Sequence, residues 1–362
     1  MHKIKFGVIG CGRISVSHMR GIAQNDADAL LWAVSDLLPE KMEAAIRGYH
    51  ANLGKESSSV ICYGSYHDLL ADPEIDIVNI ATESGYHATI AIEALNAGKH
   101  VIVEKPMALS IKDADAMIEA AQKNGRKLCV SFQNRFNIAV QKMRSAFEDE
   151  RFGKMIHAVA SIRWNRNDTY YKQAPWRGTW ELDGGTLMNQ CTHNIDLLQW
   201  FGGDVDTVYA QTDTFLRDIQ AEDMGAVILR FKNRAIGMIE GTSCVYPTNL
   251  EETLNLFGEK GTVCLGGMAI NHIENWRFGD GLDNEEEVIQ NFGENPENVY
   301  GFGHTPLFQD MIHAVRTDTQ PLISGKEGKK ALEIILAAYK SAKTGLPVKL
   351  PLMDFSTLDM KE

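Results

Sequence analysis

Through residue 132 the chain alternates short, unbroken apolar runs with stretches whose apolar residues recur every three or four positions. The runs at 4–9, 30–35, 75–81, 100–103 and 127–132 read as strands without a polar face. The stretches at 13–24, from Pro39 onward, at 87–97 and at 111–124 read as helices, and Gly98 and Gly125 stop the last two. Strands that are apolar on both sides and separated by helices indicate a parallel sheet covered on both faces. The expectation is a doubly wound α/β domain over 1–132. From Gln133 the texture changes, and 133–362 reads as a second domain. A helix at 138–149 precedes alternating runs at 155–166, 207–215, 226–231, 235–239, 254–257 and 262–265. The turn Lys232-Asn233-Arg234 makes 227–239 a hairpin, so this sheet is antiparallel or mixed. Helices are expected at 185–201, 307–316 and 326–343, with a loose tail after Pro351.

Composition narrows the function classes. The 362 residues carry 36 Lys and Arg against 48 Asp and Glu, a formal charge of −12. An acidic whole argues against a dedicated binder of nucleic acid or anionic membranes. Six cysteines stand at 11, 62, 129, 191, 244 and 264, with no CxxC pair, so free thiols in a reducing compartment are expected. The first residues read as a strand rather than a signal peptide, and no apolar run is long enough to span a membrane. A cytoplasmic protein is the expectation.

Gly10-Cys11-Gly12-Arg13-Ile14-Ser15 follows the first strand and opens the first helix. Gly10 allows a tight turn, and Gly12 lets a pyrophosphate approach the backbone. The helix start then favours the anion. Ser15 stands at the third glycine position of the fingerprint. Asp36 ends the second strand, placed to bind both ribose hydroxyls and to repel a 2′-phosphate. Leu37 and Leu38 follow it, without an arginine for that phosphate. The cofactor expected is NAD in preference to NADP. Lys105 follows the strand 100–103 and precedes Pro106, at the strand end where ligands of open α/β sheets bind. The alternative is a lysine paired with Glu104.

GVIGCGRIS, AGKHVIVEKP, the NRF of 134–136, a late histidine on a helix and EGKKALEIILAAYKSAKTGLPVKLP together resemble the glucose-fructose oxidoreductase, inositol dehydrogenase and rhizopine-catabolism (Gfo/Idh/MocA) oxidoreductases. The resemblance covers nearly the whole chain. It implies a Rossmann domain followed by an α/β domain with a large open, mostly antiparallel sheet. It implies NAD(P)-dependent hydride transfer at a secondary alcohol or ketone carbon of a sugar, polyol or nucleotide sugar. Lys105 would lie near the reacting hydroxyl. Thr82, His87, Glu104, Lys105, Asn134, Trp176 and Arg177 are counted with Gly10, Cys11, Gly12, Arg13, Ile14 and Asp36 as the cofactor set. Thr82-Glu83-Ser84 departs from the family's Thr-Pro-Asn, while His87 is retained.

On the helix expected at 185–201, Asn189 and His193 are four apart and share a face. By itself such a histidine reads as a core residue. The resemblance makes it the general base, in a family whose orienting aspartate is here Asn189. An amide cannot supply the charge that raises histidine basicity. The catalytic pair is therefore Lys105 with His193, and Asp196 is a possible compensating group. Lys105, Asn134, Tyr171, Asn189, His193 and Tyr300 form the expected substrate set, and the aromatic loop from Tyr170 to Trp180 suits a sugar ring plus an anionic group. YYxxxxWRGTWxLDGGxLMNQxxHxID is similar to sugar and nucleotide-sugar 3-dehydrogenases. The resemblance implies a homodimer or homotetramer packed through the open sheet. Alternatives are a non-catalytic NAD-binding regulator and an oxidoreductase that retains its cofactor between two substrates.

Overall fold

The computed structural model describes residues 2–55, 59–294, 296 and 299–361. The chain divides into two compact units: 1–108, 112–133 and 303–329 form one, and 109–111, 134–302 and 330–362 the other.

The first unit holds a six-stranded parallel sheet. Its strands are β1 (Ile4–Ile9), β2 (Ala29–Ser35), β3 (Ile61–Tyr63), β4 (Ile77–Ile80), β5 (His100–Val103) and β6 (Leu128–Val130). Their order is β3-β2-β1-β4-β5-β6, which places the reversal of winding between β1 and β4. All four residues of β4 are buried, as a doubly covered strand requires. Burying side chains such as Val8, Ile77 and Val101 contributes about 1.5–3 kcal/mol each. The short strand β3 and the helix Tyr66–Ala71 did not stand out in the apolar pattern, because β3 is largely exposed. The helix His304–Thr317 also belongs to this unit, although a boundary at 132/133 leaves it in the second domain. It packs on the helix Ser15–Gln24, where Gly21 lets Phe308 approach within 3.1 Å of a would-be Cβ. Phe308 also meets Phe6 at 5.5 Å between ring centres.

The second unit is built on an eight-stranded mixed sheet. It comprises β7 (Met155–Arg163), β8 (Val205–Asp213), β9 (Met224–Phe231), β10 (Ile236–Thr242), β11 (Glu251–Gly258), β12 (Gly261–Gly266), β13 (His272–Phe278) and β14 (Val348–Lys349). The order is β13-β12-β11-β7-β10-β9-β8-β14. Only β7 and β10 run parallel; the other pairs are antiparallel, including the expected β9–β10 hairpin, whose turn holds Arg234 at φ 76°. Helix Thr192–Gly202 packs on β7, β10 and β11.

Two expectations need correction here. The helix foreseen at 185–201 is interrupted: Thr186–Asn189 and Thr192–Gly202 are separate, with Cys191 N donating to Thr186 O where an α-helix would use residue 187. The segment after Pro351 is packed rather than loose. Leu352 and Thr357 are buried, Ser356 pairs with Ser110, and a capping box closes 357–360.

Candidate active site

In the first unit the glycine loop sits at the winding reversal. Gly10 has φ 91°, and a Cβ there would stand 2.6 Å from Ala81 O, so only glycine fits between β1 and β4. Around Gly12 there is open space. The following helix, Ser15–Gln24, has no side-chain cap and no acidic residue in its first turn. Its N-terminus therefore presents an uncompensated positive end of the helix dipole, the arrangement that favours a pyrophosphate. Cys11 N donates to Asp36 Oδ2 at 2.8 Å and Leu38 N to Oδ1 at 3.0 Å, which fixes the carboxylate at the end of β2 beside the loop. Arg13 is exposed and Ile14 half-buried. Burial pushes the Cys11 thiol up to about 12, so it is an inert lining group. These features fit a dinucleotide with free ribose hydroxyls.

Lys105 is half-buried one residue beyond Glu104, and the Lys105–Pro106 peptide is cis. His87, fully buried, bridges Pro106 O at 2.8 Å and Thr82 O at 3.1 Å, tying together the ends of β4 and β5. Burial lowers its pKa. Glu104 is the residue whose surroundings the sequence did not disclose. His18 Nε2 donates to Glu104 Oε1 at 2.8 Å, Asn79 donates to His18 Nδ1, and His304 Nε2 stands 3.7 Å from the same oxygen. Lys105 N donates to the other oxygen at 3.3 Å. Burial alone would raise the Glu104 pKa, but the two facing imidazoles hold it well below the carboxylate range. A buried anion thus sits directly behind the lysine. Among the described residues this is also the one place where three potential metal ligands converge. Its donors and acceptors already form a hydrogen-bonded chain, Asn79 to His18 to Glu104.

In the second unit, several expected substrate residues come together. Tyr170 OH accepts from Arg177 Nη1 and, at 3.1 Å, from Gln190 Nε2. Gln190 Nε2 also donates to Asn189 Oδ1 at 2.9 Å, and Asn189 Nδ2 donates to Asp183. Asn189 is thereby clamped between Asp183 and Gln190. Tyr171 OH pairs with Ser243 Oγ at 3.3 Å, and burial pushes its pKa up to about 12. Trp176 lies under the Arg177 guanidinium at 4.8 Å. Arg166, overlooked in the sequence, donates through Nε to Gln190 Oε1 at 2.9 Å and is electrostatically coupled to Tyr170, Tyr171 and Tyr300. The sequence signal for it was faint: a second arginine two positions after Trp164. His193 is half-buried at the second position of helix Thr192–Gly202. Asp196, three positions on, is paired with Arg135. Both its oxygens accept from Arg135, at 2.8 and 2.7 Å, and the pair is 1% and 0% exposed. Asn134 is buried, and among the described residues its Oδ1 has no hydrogen-bond partner.

Behind the Asp183–Asn189 turn lies Glu222, fully buried, accepting from Leu187 N at 2.8 Å and Tyr339 OH at 3.0 Å. Burial, opposed by these bonds and aided by Asp183, pushes its carboxyl up to about 8. The unfolded chain ionises near 4.5, so between that value and about 8 only the unfolded state loses the proton. Stability should therefore fall as pH rises through this window, by up to about 1.4 kcal/mol per pH unit, and then level off. Glu222→Gln removes the titration. Its melting temperature relative to the parent should climb from pH 5 to pH 8, and parallel melting curves across that range would exclude the assignment.

Residues 4–132 match the oxidoreductase family with an NAD-binding Rossmann fold, and 140–264 match the GFO/IDH/MocA C-terminal domain. Over 97% of this chain and 99% of the other, the structure is similar to the WlbA dehydrogenase of Bordetella pertussis, solved with NADH and UDP-GlcNAcA, at 40% identity and a TM-score of 0.88. The chain belongs to the GFO/IDH/MocA oxidoreductase family. It is also 27% identical to the myo-inositol 2-dehydrogenase of Thermotoga maritima, over 96% of this chain and 98% of that one. The scyllo-inositol 2-dehydrogenase (NAD(+)) of Bacillus subtilis is 24% identical over 96% and 97%. As a GFO/IDH/MocA oxidoreductase the chain is an NAD-dependent dehydrogenase of CH–OH carbons in sugars, polyols or nucleotide sugars. No helix among the described residues is long and apolar enough to cross a membrane.

Proposed function

We propose that the substrate is a nucleotide-linked sugar and that a ring hydroxyl is oxidised, with Lys105 and His193 as the acid–base groups. The observation that carries the reading is the aromatic and arginine cluster of 164–177 joined by hydrogen bonds to Asn189, with 40% identity over 97% of the chain to a dehydrogenase solved with UDP-GlcNAcA. A polyol needs no such cationic, aromatic lining. Bound NAD supplies the hydride acceptor. The chain's part is to hold and move a proton. Lys105, backed by the ionised Glu104, stabilises negative charge developing on the substrate oxygen. His193 takes the hydroxyl proton at an imidazole nitrogen. Gly10 to Ile14 and Asp36 hold the cofactor, with Thr82, His87 and Asn134 supporting it. Tyr171, Asn189 and Tyr300 line the substrate region.

The test is reduced-nicotinamide absorbance at stoichiometric enzyme with NAD and a panel of polyols, free sugars and nucleotide sugars. A signal confined to nucleotide sugars is expected. A signal with polyols alone would overturn the substrate class, and silence with NAD bound would favour the regulator. NADH that remains bound through purification would favour a cofactor-retaining cycle. The reading also includes a cytoplasmic homodimer or homotetramer. Tyr209, Ile228, Ile236 and Met238 support it, since they share one face of the second sheet and are each more than a third exposed.

A further inference from the structure

At the edge of the parallel sheet away from the glycine loop, the first unit carries a cleft of about 640 Å³. It lies where β1, β4 and β5 begin, beside Ile4, Asp76 and His100. β1 is six residues long, so the cleft and Gly10 stand about 20 Å apart. Among the described residues, the charged groups lining it are Lys3, Lys99, Arg126 and Arg316 against one acid, Asp76. In a chain of net charge −12 that is a local reversal of sign. Arg316 is answered by Asp28, and Asp76 accepts from Lys5 N at 2.8 Å. Among the described residues the other three cations form no ion pair.

The hydrogen bonding in the cleft is short of acceptors. His100 Nδ1 accepts from Lys127 N at 3.0 Å. A backbone N–H can only donate, so the neutral ring carries its proton on Nε2. That nitrogen faces Arg126 Nη1 at 3.4 Å, a donor against a donor. Burial, with the charges of Arg126 and Lys127, pulls the His100 pKa down to about 4, so the ring is neutral at pH 7. Arg126 Nε is buried and, among the described residues, has no acceptor. Lys99 is 6% exposed and donates to Asp72 O at 2.5 Å and Ile75 O at 2.9 Å, which uses two of its three N–H groups. The Asp72 carboxylate itself accepts from Trp32 Nε1 at 2.8 Å and Tyr63 OH at 3.0 Å. Buried donors without acceptors are costly, and a negatively charged oxygen between His100 and Arg126 would accept from both.

We infer that this cleft binds the phosphate group of a small organic molecule, at a site separate from the one that holds the cofactor. Arg126 and the His100 Nε2–H donate to the phosphate oxygens, and Lys3 and Lys99 add positive charge at the same cleft. A phosphate monoester offers three strong acceptor oxygens and about two negative charges, which suits donors on several separate side chains. A carboxylate brings one charge and a planar fork, and leaves more of these cations unanswered. The cleft is larger than one phosphate needs and falls within the range of small-molecule sites, about 300–1,000 Å³. Ile4, Pro73 and Val315 give the body of the molecule an apolar wall.

The experiment is titration calorimetry on enzyme saturated with NADH, which keeps the glycine loop occupied. The probes are phenyl phosphate, inorganic phosphate and benzoate. Phenyl phosphate should bind at one site per chain, with inorganic phosphate weaker and benzoate weaker by at least about tenfold. Arg126→Gln should weaken phenyl phosphate at least about tenfold, and Lys3→Gln should weaken it by a smaller factor. Arg126→Lys should recover part of the loss, since the charge returns without the planar fork. Unchanged melting temperature and NADH affinity would show that the variants are folded. In the proton spectrum of the parent enzyme, the His100 ring signals should move as phenyl phosphate is added. Failure of the NADH-saturated parent to bind phenyl phosphate would overturn the proposal. So would affinity that survives both Arg126→Gln and Lys3→Gln, or His100 signals that stay in place while the probe binds, because the phosphate would then sit elsewhere. Benzoate bound as tightly as phenyl phosphate would overturn the phosphate assignment, and inorganic phosphate bound as tightly would overturn the organic body.

Discussion

Lys105→Ala should lower kcat by about 10³-fold while leaving NAD affinity within about threefold of the parent enzyme. Two observations carry the size of this effect. Lys105 stands at the carboxyl end of β5, beyond the winding reversal where Gly10 closes against Ala81, so it lies on the edge of the sheet that receives ligands. Behind it is an ionised carboxylate, Glu104, buried with His18 and His304 and bonded to the Lys105 amide. An anion kept inside a fold has to be balanced, here by the facing imidazoles of His18 and His304. A charged lysine is the species that stabilises a developing alkoxide. Alanine removes the charge without touching the glycine loop or Asp36, so cofactor binding survives. Stopped-flow reduction of NAD together with calorimetric NAD titration separates the two effects. Activity within about tenfold of the parent would remove Lys105 from the chemistry.

The second large effect concerns the fold. Asp196→Ala should destabilise the protein by about 3–5 kcal/mol, since it strands a fully buried Arg135 guanidinium. Arg135 is among the largest fully buried side chains in the molecule, and its guanidinium also lies 4.8 Å from the centre of the Trp200 ring. Both carboxylate oxygens serve it. Replacing both partners by apolar residues, Arg135→Met with Asp196→Leu, should recover much of the loss, because no charge is then left unmatched. Chemical denaturation of the single and double variants is the measurement. A loss below about 1 kcal/mol for Asp196→Ala would mean that Arg135 finds water or another acid, which its burial argues against.

The division between what the residues show alone and what needs the fold follows the range of the interactions. The parallel sheet of the first unit was legible because each strand is apolar on both sides and each helix is punctuated locally; β1 and β5 have the expected bounds. The placement of the glycine loop, Asp36 and Lys105 at strand ends was legible for the same reason, as it follows from position along a strand, turn and helix. The mixed sheet was legible as a set of alternating runs, but the parallel pairing of β7 with β10 was not, since register between strands about eighty residues apart leaves no local trace.

The amino-acid sequence by itself thus determined the nucleotide-binding half, its cofactor and the two acid–base residues to examine. Tertiary structure alone decided which charges are matched. Arg135 captures Asp196 from sixty-one residues away. Glu222 is pressed behind Gly185 and keeps its proton near neutral pH, and His18 and His304 arrive from two separate helices to hold Glu104 ionised. Among the described residues Arg166 is hydrogen-bonded to neutral groups alone, although acids are plentiful along the chain. The physical reason is common to all four: a charge is expressed according to what is buried around it, and burial is set by contacts that linear order does not contain.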